Sequence, residues 1–367
     1  MNKKLKIVLS ICVVVVVIGA IIIFNTPEPD QGDRPTIKIG FIYPMTGSLG
    51  HIGKGALAAA NMVLDKINQD PKRQFNYRLL VQDDEMKAAN TVTIANKMLF
   101  VDKVHAVMTS WSGPSNAVKD LMKQHDMLHF IDTYMSLSDG KNIFNYSVTT
   151  DDLSLSAFDF IVNQKARNVA LIFHQVPAGA EIFGMLKTKL KEKDIQYDDY
   201  WFNGNEFDAF RTMVAKVKSR HYDLILLYGW PPGINFVARE LKSQEVTLPV
   251  LGFDTAEVAN FDFTYFDGFY EVGNPYNPEW EKFLKSKNTD SVYMYDVMNI
   301  IVQTYEKAGK KLGHIPTTKE FREILYEQRD YQGLIGHAHL EDNGLFRVPT
   351  SLKKIEGDQI LTIDPQE

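Results

Sequence analysis

Cysteine is almost absent: Cys12 is the only one in 367 residues, so no disulfide can form within the chain. No GxSxG pentapeptide occurs, which removes the strand-to-helix elbow an α/β hydrolase needs. His337 and His339 alternate in "GHAHL", but no nearby cysteine or third histidine completes a metal-ligand set, and they read as strand residues. A surplus of positive charge is missing too. Forty Lys and Arg face 46 Asp and Glu, for a net charge of −6. Lys3, Lys4 and Lys6 carry the only charges of the first 24 residues, so the remaining body is more acidic still and unsuited to a nucleic-acid partner. Hydrophobic content of 45% and charged content of 23% are those of an ordinary globular protein with room for about two domains.

What is present begins with an uncharged apolar run, Ile7 to Phe24. As a helix it would reach about 27 Å, enough to span a bilayer, with the preceding lysines inside and the body extracytoplasmic. The alternative is a cleaved signal peptide, which would release the body; Ile18-Gly19-Ala20 is a poor cleavage site and four more apolar residues follow it. Cys12, behind bulky Ile11, is a poor site for a lipid. Asn25 to Pro35, "NTPEPDQGDRP", reads as a linker.

From Thr36, short apolar runs alternate with segments of helical period. "TIKIGFIY", "YRLLVQ", "HAVMT" and "MLHFI" read as buried strands, and Ile52, Ala56, Ala60, Val63 and Ile67 line one helix face. The pattern restarts at Asp152 with strands "NVALIF", "IQYDDY", "DLILLYG" and "LPVLGF". Two successive halves of this kind predict an α/β fold with two doubly wound, mostly parallel sheets. A late helix carries Met294, Met298, Ile301, Tyr305 and Ala308 in register, and "LIGHAHL" and "TSLKKI" are strand-like. These are too few for a third domain and are expected to return to the two sheets.

Ligands of open α/β sheets bind beyond the carboxyl ends of the strands. The loops there are "PMTGSLGHIGKG", "TSWSGPSNA" and "DTYMSLSDG" in the first half, and "HQVPAGA", "GWPPG" and "DTAEVAN" in the second. Glycines in the first loop either bring helix amides close to a ligand or merely permit a tight turn. Gly53-Lys54-Gly55-Ala56-Leu57-Ala58 fits GxGxxA, but it stands too far behind its strand for a dinucleotide turn.

The stretches "IKIGFIYPMTGSLGHIGKGALAAANMVLDKIN" and "VQDDEMKAANTVTIANKMLFVDKVHAVMTSWSGPSNAV" resemble the extracytoplasmic solute-binding proteins of branched-chain amino acid ABC transporters, from about Ile37 onward. That resemblance implies a periplasmic binding protein type 1 fold, two lobes joined by three crossovers near Thr149, Asn274 and Gln332. The implied layout is 1–24 anchor or signal, 25–35 linker, 36–149 plus 275–332 first lobe, and 150–274 plus 333–367 second lobe. It further implies binding without catalysis or cofactor: a small amino acid-like or amide solute is held in the cleft and passed to an ABC transporter permease. A ligand-sensing ectodomain with a membrane signalling partner is the other reading.

Carried over by resemblance, Trp111, Ser112 and Gly113, with Ser115 nearby, meet a ligand carboxylate. Tyr134 and Ser136 offer a carbonyl and a hydroxyl, Trp230 lines the pocket, and Asp254 grips an ammonium. Read from the residues alone, Ser112 and Asp254 could be cap or turn residues and Trp230 a core or surface residue. Three departures separate the chain from amino acid binders: Ala178 and Ile52 where relatives show tyrosine, and a bulky Trp111. Leucine as the ligand therefore does not follow. The acids Asp83 and Asp84 have no acid-base role in this reading.

Overall fold

The computed structural model describes residues 34–47, 49–203, 207–253, 263–275, 277, 279–280, 284 and 289–363. The chain divides into two units, Met1–Pro35 and Thr36–Glu367. Residues 7–24, expected to form the anchor, lie outside the described residues. Among the described residues no helix is long and apolar enough to cross a membrane.

The second unit opens with β1 (Thr36–Tyr43), α1 (Gly50–Gln69), β2 (Asn76–Asp83), α2 (Ala88–Lys97), β3 (Ala106–Ser110), α3 (Ser112–Gln124), β4 (Leu128–Asp132) and β5 (Ile143–Tyr146). A second series follows: α4 (Thr150–Asn163), β6 (Asn168–His174), α5 (Pro177–Glu192), β7 (Gln196–Phe202), α6 (Phe207–Lys218), β8 (Leu224–Tyr228), α7 (Gly233–Ser243), β9 (Val250–Phe253) and β10 (Tyr270–Gly273). The chain ends with α8 (Thr289–Leu312), α9 (Thr318–Glu327), β11 (Asp330–Gly333), β12 (Gly336–Leu340), β13 (Leu345–Arg347), β14 (Ser351–Glu356) and β15 (Gln359–Ile363).

Two sheets result, in the orders β11-β12-β13-β5-β4-β3-β1-β2 and β15-β14-β10-β9-β8-β6-β7. The strands of each βα series pair in parallel, and the late strands add antiparallel edges. Strands buried on both faces explain the continuous apolar runs. In the first sheet Phe41 and Tyr43 face Ala56, Ala60 and Val63 of α1, while Ile42 and Val107 face Ala95, Val118 and Met122. The second sheet repeats this, with Leu171 and Phe173 against Ile182 and Leu186, and Ile172 and Leu227 against Val214 and Val237.

The late helix α8 returns to the first lobe and buries Met294, Met298, Ile301, Tyr305 and Ala308. The larger of these side chains, Met294, Met298 and Ile301, contribute about 1.5–3 kcal/mol each, whereas doubling the length of a connecting loop costs only about 0.6 kcal/mol. Packing therefore decides where α8 goes.

The third crossover differs from the expectation. β12 and β13 belong to the first sheet, so the chain passes to the second sheet at Val348–Thr350, not near Gln332. The reason is the turn after β11. Asp296 on α8 accepts hydrogen bonds from the N–H groups of Leu334 (2.7 Å) and Ile335 (3.0 Å), and a Cβ on Gly333 would stand 2.3 Å from that carboxylate. The pinned two-residue loop folds β12 back onto β11, with Gly333 opposite Gly336.

The three crossings are linked through Tyr293 and Asn274. The Tyr293 hydroxyl of α8 accepts from the Val148 N–H (3.2 Å) in the first crossing and donates to the Asn274 side chain in the second. In the third, the Ser351 hydroxyl donates to the Asn274 carbonyl at 3.1 Å. Thr149 caps α4 in a reciprocal capping box with Asp152, and Asp152 also receives Arg347 of β13 at 2.6 Å. The start of the second lobe is thus tied to an interior strand of the first sheet.

Candidate functional site

The glycine loop after β1 is held by Asp83 at the end of β2. That carboxylate accepts from the Met45 N–H (2.8 Å), the Thr46 hydroxyl (2.6 Å) and the Glu85 N–H (2.9 Å). Burial works against ionisation here, but these hydrogen bonds outweigh it and hold the carboxyl below its usual range. A Cβ on Gly50 would lie 2.7 Å from the Met45 carbonyl, and one on Gly53 2.2 Å from that of Pro44. These two glycines let the loop lie against its own helix. Leu49 and Ile52 are thereby buried where Trp111 and Trp230 pack.

Trp111 precedes α3 with φ 68° and ψ 146°, a conformation that costs a bulky residue on the order of 1–3 kcal/mol. Its N–H donates to the Asp132 carbonyl at 2.9 Å. The indole meets Trp230 of the second lobe edge-on, with centroids 4.7 Å apart. Tyr134 stacks on the same Trp230 at 6.1 Å and 22°, and Tyr228 meets it edge-on at 6.0 Å. Rings from the carboxyl ends of β3, β4 and β8 therefore converge between the lobes. Burial raises the Tyr228 hydroxyl well above its ordinary pKa, so it stays protonated.

Ser112 lies inside the first turn of α3, not at its cap, and its hydroxyl pairs with that of Thr133 at 2.6 Å. A Cβ on Gly113 would meet nothing within 4 Å, so the backbone there is open. Ser115 turns inward: its hydroxyl bonds to Thr109 (2.7 Å), which bonds to His129 Nε2 (2.8 Å). Burial pushes the His129 pKa down to about 3, and the ring is neutral. Tyr134 gives its carbonyl to the Thr150 N–H at 2.8 Å, which ties the loop after β4 to the start of α4. Ser136 is exposed on its loop, and among the described residues no hydrogen bond joins it to the ring cluster. Asp254 lies outside the described residues.

The structure thus brings together Trp111, Ser112, Tyr134 and Trp230, and adds residues not singled out in the sequence. Asp132 ends β4 with only 8% exposure, beside Ser110 in the sheet register. Its signal was available: "FIDT" repeats the "GFDT" pattern around Asp254. Ser110 is 2% exposed and its hydroxyl, like the Trp111 indole N–H, is buried with no partner among the described residues. On the second lobe, a Cβ on Gly179 would lie 2.9 Å from the Tyr228 ring, so the small residues Ala178 and Gly179 let α5 start close to the cluster. Among the described residues no group of three His, Cys, Asp or Glu side chains is arranged to hold a metal.

This two-lobed arrangement agrees with a family profile described as periplasmic binding protein, which matches residues 36–350. The chain belongs to the periplasmic binding protein family. Solved structures similar to this periplasmic binding protein include the leucine binding protein LivK of Thermotoga maritima (TM-score 0.78, 16% identity, 89% of this chain and 98% of that one). LivJ of Streptococcus pneumoniae, in complex with isoleucine, gives TM-score 0.76 and 15% identity over 89% of this chain and 99% of that one. A solute binding protein of R. palustris, in complex with benzoate, gives 0.78 and 13% over 89% and 95%. At such identities the likeness establishes the fold of this binding protein and not its ligand. A search of curated protein sequences returns no match.

Proposed function

We propose that the protein is an extracytoplasmic solute-binding protein that captures a small amino acid-like or amide solute between its lobes and delivers it to an ABC transporter permease. The observation that carries this is the meeting of Trp111 and Tyr134 from one lobe with Trp230 from the other at the carboxyl ends of both sheets. The open amides at the start of α3, with the Ser112 hydroxyl, suit a carboxylate or amide oxygen. Asp132 on the first lobe and Asp254 on the second are acids suited to an ammonium, since a closed cleft needs a carboxylate to hold a cation. Ile7–Phe24 anchors the chain and Asn25–Pro35 lifts the body from the membrane. Native mass spectrometry of the full chain, purified without refolding, tests the reading. A retained solute of small mass, lost in Asp254→Ala, is the expected result. A chain that retains nothing and binds no small zwitterion or amide would refute it.

A further inference from the structure

Three observations converge on Trp111. Its backbone takes a conformation that bulky residues rarely adopt, and takes it at the junction that aims the side chain into the cleft. The indole packs edge-on against Trp230 of the facing lobe, and both rings pack on the buried pair Leu49 and Ile52 of the first. Its N–H and the neighbouring Ser110 hydroxyl are buried polar atoms with no partner among the described residues. Natural structures pair nearly all such groups, so an orphaned donor at a binding site points to an acceptor on the ligand.

Resting on the solute-binding reading above, we propose that Trp111 determines specificity. The solute is compact, turns an oxygen acceptor toward the indole N–H, and is not a branched aliphatic amino acid. The indole fills the space beside the first-lobe amides where a longer side chain would extend. Admitting leucine would push the ring off Trp230, Leu49 and Ile52 together, because those contacts come from the start of α1 in one lobe and the loop after β8 in the other. A packed wall of this kind discriminates by volume, and its unpaired donor discriminates against a solute that cannot accept a hydrogen bond.

The test is calorimetric titration of the full chain in detergent with glycine, L-alanine, propionamide and L-leucine. It compares wild type, Trp111→Ala and Trp111→Phe, each checked for folding by circular dichroism. Wild type should bind at least one compact probe 10-fold or more tighter than leucine. Trp111→Ala should gain leucine affinity about 10-fold and lose that preference. Trp111→Phe keeps much of the bulk without the N–H, so it should still exclude leucine while binding the compact probe several-fold more weakly. Wild type binding leucine as tightly as alanine, or a leucine-to-alanine ratio unmoved in Trp111→Ala, overturns the role of Trp111 and leaves solute binding intact. Wild type that binds no probe and retains no solute overturns both.

Discussion

Acid should loosen the first lobe through His129. The ring is fully buried on β4, and burial lowers its pKa from 6.5 to about 3. Between those values the unfolded chain carries a proton on this group that the folded chain does not. Stability therefore rises with pH across the window, is fully present above 6.5, and is lost as pH falls toward 3. Each unit inside the window is worth about 1.4 kcal/mol, so a fall of two units below pH 6.5 removes about 2.7 kcal/mol. That is a large part of the roughly 5–15 kcal/mol by which a folded protein is stable. The perturbation reaches the site, because His129 holds Thr109, Thr109 holds Ser115, and Ser115 sits in the first turn of α3. Urea unfolding at pH 7, 6, 5 and 4.5, followed by circular dichroism, should be run on wild type and His129→Gln. The glutamine retains an acceptor for Thr109 but does not titrate, so the difference between the two proteins should grow by about 1.4 kcal/mol per pH unit up to 6.5 and then level off. Parallel curves through the window would refute the argument, since other titrating groups cancel in the difference.

Three further outcomes follow from the geometry. Tyr293→Phe removes the hydroxyl that joins the first two crossings and should cost about 1–3 kcal/mol in urea unfolding without altering the circular dichroism spectrum; an unchanged midpoint would contradict that role. Gly53→Ala drives a Cβ into the Pro44 carbonyl and should cost about 1–3 kcal/mol, whereas Gly113→Ala, with open space around it, should cost less than about 1 kcal/mol; equal melting temperatures would count against the close approach. Trp230→Ala deletes the ring contacts across the cleft, worth about 0.5–1.5 kcal/mol each, and should red-shift tryptophan emission and raise the radius of gyration in X-ray scattering; neither quantity moving would count against a cross-lobe contact.

Long elements were legible because burial on both faces imposes a continuous apolar run and a helix facing a sheet imposes a stripe. β1 matches its predicted bounds, and the stripes on α1 and α8 are buried as read, with Ile67 only partly covered. The short strands β5, β10, β11, β13 and β15, three to five residues each, escaped because so few residues carry no period. The third crossover was misplaced because "GHAHL" alternates equally well in either sheet. What decides is the carboxylate of Asp296 on a helix some forty residues upstream, an interaction no local pattern encodes. At the site, the family resemblance proposed Trp111, Tyr134 and Trp230 in loops after strands, but no sequence pattern showed that their rings meet. Asp132 was passed over because it was read as part of the loop "DTYMSLSDG" and not as the last residue of a strand.

Linking three chain passages through Tyr293 and Asn274 has a mechanical consequence. With Tyr293 and Ser351 both bonded to Asn274, separating any one passage from the others would break at least one of these hydrogen bonds. Any movement of one half on the other is therefore resisted first at this junction, as a door is at its hinge pin.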